Sequence, residues 1–350
     1  MVMRFDEAPV RALYIGGTGT ISASCVRLSV DAGMEVAVLN RGRNMAQRQL
    51  PETVTQLAAD VNDAASVKSA LDGQEFDSVV NFLSYDAEDA SRWAAWLHGR
   101  TRQYVHISSA SVYGKPVQRV PIVESTAVHN RFLEYARAKL RAERALQLAF
   151  LEEGFPVTIV RPSHTYDDAQ PPLPGGWTAV DRIERGKEVP VHGDGTSLWT
   201  LTHSEDFAQG LVGLVGNTAA IGEVFHITGD DVLTWDQIYT VVAEALGVKA
   251  KLVHLASELF PVVAPDWFWS DLIVGDLSHS AVFDNSKIKR FVPGFAPKLT
   301  FQRGALRLAR WRSEHRALTG PDLAVDAVLD RLAGAFHATR EVAASWATGP

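Results

Sequence analysis

The sequence predicts an α/β fold, a doubly wound parallel sheet followed by a smaller mixed α/β C-terminal lobe. Three observations predict it. Short β-branched runs alternate with amphipathic stretches over the first half of the chain, a glycine-rich turn follows the first run, and prolines and glycines interrupt regular structure just beyond Arg161. Strands covered by helices on both faces read as short, continuous apolar runs. Strands alternating with helices join through right-handed crossovers, and ligands then sit outside the carboxyl ends of the strands.

Taken in order, residues 12–15, 35–39, 78–82, 103–107 and 157–160 read as buried strands, and the amphipathic segments between them as helices. Pro162, Pro171, Pro172, Pro174, Gly175 and Gly176 then mark a boundary. Residues 1–162 are expected to form a dinucleotide-binding domain and residues 163–350 mainly a substrate lobe, with 200–228 returning to the main sheet. Helical periodicity resumes over 205–215, 235–246, 301–312 and 322–344, and residues 223–228 read as a strand. Two lobes suit a chain of 350 residues.

Hydrophobic residues make up 46% and charged residues 21%, the balance of a globular protein with a substantial core. The formal net charge of −7 opposes a nucleic-acid partner. A lone Cys25 excludes an intrachain disulfide and a cysteine metal cluster, and the eleven histidines show no ligand spacing, so no metal is expected. The N-terminus lacks the apolar core of a signal peptide, and Glu258, Pro261, Pro265, Asp266 and Asp271 interrupt the late apolar stretch 253–277. A cytoplasmic location without membrane insertion is the expectation.

The first strand runs into Gly16-Gly17-Thr18-Gly19-Thr20-Ile21-Ser22 and then a helix. Gly16 permits a tight turn, Gly19 lets a pyrophosphate approach the backbone, and the helix N-terminus offers N–H groups and a positive dipole. The third glycine position of this Rossmann-like pattern is Ser22, a small residue that still allows close packing. At the end of the second strand, Asn40, Arg41 and Arg43 stand where a carboxylate would grip the ribose of NAD and exclude a 2′-phosphate. NAD and NADP therefore both remain open. Asp60 and Val61, after the third strand, are expected at the adenine, and Asn81, Phe82 and Leu83 beside the nicotinamide ribose.

Residues 103–114, with Ser108-Ser109-Ala110-Ser111 before Val112-Tyr113-Gly114, and Tyr135-Ala-Arg-Ala-Lys139 beyond them, resemble the extended short-chain dehydrogenase/reductase family, the NAD-dependent epimerases and dehydratases. The likeness continues through Arg161-Pro162 and Gly193-Asp194-Gly195 to about Trp311. Tyr135 and Lys139 lie four apart, so a helix puts both on one face. Lys139 and a positive nicotinamide ring favour the Tyr135 phenolate, which takes a proton as hydride leaves the substrate carbon. The resemblance implies that Lys139 also holds the nicotinamide ribose, that Ser109 binds the reacting oxygen, and that Ser108 and Pro162 border the cofactor. It also implies a homodimer through helices near 87–97 and 132–151.

Relatives that act on nucleotide sugars carry an arginine after Gly-Asp-Gly, where this chain has Trp199, and an asparagine where it has His164. Losing both implies a sugar-like substrate without a nucleoside diphosphate, such as a nucleoside, glycoside or polyol, because a buried diphosphate needs charged partners. Ser111, Tyr85, Glu124, His164 and Trp199 are the expected substrate residues. Ala110 and Ser111 replace the Asp-Glu pair of sugar 4,6-dehydratases, so any further acid or base comes from Asp86, Glu124, His129 or His164. Trp267-Phe268-Trp269 is expected to be buried in the small lobe, with a lid or a stacking surface for a base or sugar ring as the alternative.

A redox-neutral epimerase or dehydratase with bound cofactor is the leading expectation, ahead of a net dehydrogenase or ketoreductase. The Gly17-Thr18-Gly19 and Asn40-Arg41-Gly42 segments also resemble chloroplast stem-loop RNA-binding proteins, which keeps an RNA-binding or redox-sensing protein on the same fold as the alternative.

Overall fold

A computed structural model describes residues 8–41 and 48–347. Its central sheet has seven parallel strands. β1 (Arg11–Ile15), β2 (Glu35–Asn40), β3 (Thr55–Ala58), β4 (Phe76–Asn81), β5 (Thr101–Ile107) and β6 (Val157–Pro162) are joined at the edge by the strand Val224–Ile227. That last strand lies beside β6, followed by β5, β4, β1, β2 and β3. This is the doubly wound order expected from the sequence, and its reversal between β1 and β4 opens a crevice at the strand ends.

Register brings those ends together. Ile15 lies opposite both Leu39 and Asn81, Asn81 opposite His106, and Ile107 opposite Val160. The two-residue alternation of β1 divides the core: Ala12 and Tyr14 pack on one face with Val38, Val80 and Phe207, whereas Leu13 and Ile15 pack on the other with Leu39, Val79 and Trp93. The helices α1 (Ser22–Asp31), α2 (Ala64–Ala70), α3 (Ala87–Leu97) and α4 (Glu134–Glu153) make the crossovers. In α4, Ala136, Lys139, Leu140, Glu143 and Leu146 recur at helical spacing on the buried face, and Gly154 ends the helix with φ 72°.

β3 is the one main-sheet strand for which the apolar pattern gives no explicit range, because its residues are mostly exposed at the sheet edge. The second lobe packs Trp199, Trp235, Tyr239 and Leu329 around a parallel pair, Glu188–His192 with Lys251–Leu255. Trp267 and Trp269 pack partly buried against this core, whereas Phe268 between them is exposed. The apolar stretch 253–277 resolves into the end of a strand, short helical turns and a π-helical turn at Ile273–Leu277. Among the described residues, no helix is long and apolar enough to cross a membrane.

Candidate active site

The glycine turn closes on itself. Gly16 has φ 85°, a conformation that side chains resist, and Ser22 Oγ donates to its carbonyl at 2.6 Å while accepting from Gly19 N at 2.8 Å. Ser22 therefore braces the loop. The close approach belongs to Gly17, where an added Cβ would stand 2.7 Å from a Val38 methyl. No side chain caps α1 at Ile21, which leaves its first turn suited to an anion, and Gly19 has open space around the position of a Cβ apart from Ser22 Oγ. These features fit a dinucleotide pyrophosphate.

Arg48 reaches over this turn, with a bidentate pair to Asp167 at 2.6 and 3.1 Å, while Thr20 Oγ1 donates to Gln170 at 3.0 Å. At the end of β2, Asn40 Nδ2 donates to Gln56, and Arg41 is exposed. Arg43 lies outside the described residues. The Asp60 carboxylate accepts from Asn62 N, and Val61 packs on the sheet core. Leu83 abuts Gly16, and Phe82 stacks on Tyr14.

Tyr135 stands in the first turn of α4 and Lys139 one turn later. The Lys139 ammonium is buried and donates to the carbonyls of Ser84 at 2.8 Å and Ile107 at 2.9 Å, which ties α4 to the ends of β4 and β5. It lies 4.6 Å from the centre of the Tyr85 ring and 6.0 Å from that of Tyr135. Burial lowers its pKa to about 8, against the opposing pull of Glu143 and Asp89. Tyr135 stays 42% exposed as a residue, yet its phenol oxygen is crowded, and it shares the cavity with Ser109. Burial, with Tyr85 adding to it, pushes that phenol up to about 12 in spite of the opposing pull of Ser109. Desolvation thus dominates at Tyr135, in place of the depression expected from Lys139. Ser111 Oγ donates to Ser109 Oγ at 2.9 Å and so fixes the serine.

Behind the strand ends runs a saturated buried network. Arg161 forms a bidentate pair with Glu143 at 2.9 and 2.6 Å, and Ser108 Oγ donates to the same carboxylate. Arg161 also lies against Tyr113, whose hydroxyl meets His226 Nδ1 at 3.1 Å. Three of the expected site residues have their side chains engaged in internal hydrogen bonds. Ser108 turns its hydroxyl inward to Glu143. Glu124 accepts from His226 N and belongs to this network rather than to a substrate cavity. The Asn81 side chain is fully buried, its amide spanning Leu83 N and the Tyr104 hydroxyl, and it shapes the loop after β4.

A cavity of 120 Å³ opens beside Tyr135 and Ser109, and Ser111, Pro162, His164 and Trp199 also border it. His164 is sandwiched among tryptophans, stacked on Trp269 with centroids 6.1 Å apart, and burial lowers its pKa to about 4. Tyr85 stays half-exposed at Lys139. Of the other acid/base candidates, Asp86 caps α3 and His129 lies over Gly114, so neither borders the cavity. Sequence reasoning missed Lys115 and Asp276, which border the cavity as a buried ion pair at 2.7 Å. Lys115 directly follows Tyr113-Gly114 and was open to notice, whereas Asp276 sits in a π-helical turn with no motif around it.

A family model described as the NAD dependent epimerase/dehydratase family matches residues 12–228. The 2'-dehydrokanamycin reductase of Streptomyces kanamyceticus is 26% identical over 295 residues, covering 83% of this chain and 81% of that protein. The chloroplast stem-loop binding protein of 41 kDa b from Arabidopsis thaliana is 28% identical over 256 residues, 70% of this chain and 65% of its own length, just under two thirds. An epimerase structure from Methanothermobacter thermautotrophicus superposes with a TM-score of 0.73 at 18% identity, covering 89% of this chain and 94% of that one, a likeness of fold.

Proposed function

This chain belongs to the NAD-dependent epimerase/dehydratase family, and we propose that it oxidises and then re-reduces a secondary alcohol on a sugar-like ring that carries no nucleoside diphosphate. One observation carries the reading: Tyr135, beside Ser109 and backed by Lys139, faces a small cavity at the strand ends. When bound, the dinucleotide supplies a hydride acceptor and a positive ring charge. Tyr135 takes the proton of the reacting hydroxyl and returns it on the reverse step, while Ser109 holds the oxygen on which charge develops. Lys139, anchored by two carbonyls, keeps a cation beside the phenol and within reach of the cofactor ribose.

The cavity supports a nucleotide-free substrate. Its 120 Å³ beside Tyr135 and Ser109 suits a single ring at the reacting position. Its cation, Lys115, is already paired with Asp276, and Trp199 stands where relatives place an arginine. A buried diphosphate would find no uncompensated charge there. Asn40 and Arg41 support acceptance of NADP as well as NAD, since no carboxylate ends β2. The exposed Phe132, Leu148 and Leu151 on and beside α4 support a homodimer. The net charge of −7 speaks against an RNA partner.

A second reading, net ketone reduction, is favoured by the likeness to the dehydrokanamycin reductase. The two differ in whether cofactor leaves after each turnover. Mass measurement of the cofactor released on denaturing purified protein separates them: near-stoichiometric nicotinamide dinucleotide is expected for the redox-neutral enzyme. Protein that purifies empty and turns over only with added NADH or NADPH would overturn that part of the reading.

A further inference from the structure

We propose that Lys115, Asp276 and the Trp199 indole N–H form a subsite that grips the hydroxyls next to the reacting carbon of an uncharged glycoside. The subsite rests on the oxidoreductase reading and names the substrate class of the same cavity. Lys115 and Asp276 are 3% and 8% exposed, yet both border the cavity that Tyr135 and Ser109 face. Lys115 comes from the loop after β5 in the first lobe and Asp276 from the π-helical turn Ile273–Leu277 in the second, so the pair spans the cavity from one lobe to the other. Isolated π turns recur at functional sites, where a helix re-aims one side chain.

A buried ion pair is a poor device for stability alone, because apolar packing of the same volume serves as well or better. This pair also differs from Glu143–Arg161, whose carboxylate takes two guanidinium bonds and one from Ser108. The Lys115 ammonium has three protons to donate and meets the Asp276 carboxylate through one oxygen at 2.7 Å. Trp199 borders the same cavity, and its indole nitrogen is buried with no partner. An unpaired buried N–H is costly, and a ligand oxygen is the natural acceptor.

Two donors and one acceptor around a cavity of zero net charge describe a ligand whose groups both donate and accept. Hydroxyls do so, whereas phosphates only accept. The Trp199 ring, with Leu272 and Phe283, offers apolar walls to the C–H faces of a sugar ring.

The test is equilibrium dialysis of NAD-loaded, full-length protein against radiolabelled methyl glucopyranoside, methyl galactopyranoside, methyl mannopyranoside and their monodeoxy analogues, with UDP-glucose alongside. At least one methyl glycoside should bind the native protein, and a deoxy analogue should bind at least tenfold more weakly. The double variant Lys115→Met/Asp276→Leu should keep its bound cofactor and melting temperature, lose at least tenfold in glycoside affinity, and no longer distinguish the deoxy analogue. Lys115→Met/Asp276→Asn, which leaves no charge unpaired and keeps the shape of the Asp276 side chain, should show the same loss if the first double variant folds poorly. Unchanged affinity in a folded, cofactor-loaded variant overturns the subsite, as does native protein that binds none of the glycosides. Tighter binding of UDP-glucose than of any glycoside removes the nucleotide-free reading along with the subsite. Tyr135→Phe should bind glycosides normally without reducing cofactor, so retained cofactor reduction would sink the Tyr135 assignment and leave the subsite standing.

Discussion

Two lysines are almost fully buried, Lys115 at the cavity and Lys139 behind Tyr135, and their partners differ. Lys139 is held by two neutral carbonyls, Ser84 and Ile107, and burial brings its pKa down to about 8. Lys115 has a carboxylate, Asp276, at 2.7 Å. Carbonyls orient an ammonium without compensating its charge, whereas a carboxylate compensates it. The same side chain at similar depth is therefore held in two ways: Lys139 is a cation near Tyr135 with carbonyls rather than a carboxylate in contact, and Lys115 sits inside an ion pair.

The sharpest way to break this comparison is to remove each cation in turn. Lys139→Met should lower kcat by about 10² to 10⁴, the range of a lost acid/base function, and weaken cofactor retention as well. The Lys115 variants should act chiefly through KM. Steady-state kinetics with a reacting glycoside checks both, and equal effects on kcat at the two positions would erase the distinction.

The next effect concerns stability. Glu143→Ala strands the Arg161 charge, and breaking a buried pair from one side costs roughly 3 to 5 kcal/mol. Denaturant unfolding should show that loss. The double replacement at Lys115 and Asp276 should be nearly neutral by the same measure.

The smallest effect sharpens the account of Lys139 itself. Its folded pKa of about 8 lies below the ordinary 10.5, so between these values the unfolded chain binds a proton that the folded chain has released. Stability should therefore rise with pH through this window, by at most about 1.4 kcal/mol per pH unit, and the penalty is fully present below it. Tyr135 has the opposite sign, since its raised pKa withdraws stability only above its ordinary value of 10.0. Cofactor-free protein compared with Lys139→Met between about pH 8 and 10 isolates the lysine. Parallel pH curves would show that burial does not perturb it.

The fold was legible because burial on both faces of a parallel sheet writes apolar runs into the sequence, and β1 with its glycine turn is the clearest case. β3 was faint for the converse reason, lying exposed at the edge. The spacing of Tyr135 and Lys139 was readable because one helical turn sets it. Side-chain direction at the strand ends was not, and Ser108 shows why: Glu143 and Arg161, distant in sequence, draw its hydroxyl inward. The partnership of Lys115 with Asp276 joins residues from different lobes, and no local pattern records it.

The central claim, that the Tyr135 phenol moves the proton while cofactor is reduced, is tested most directly by rapid mixing of NAD-loaded protein with a bound glycoside while reduced-nicotinamide absorbance is followed. The native protein should show a transient rise, and Tyr135→Phe, equally loaded and folded, should show none. A rise of the same rate and amplitude in Tyr135→Phe would contradict the account.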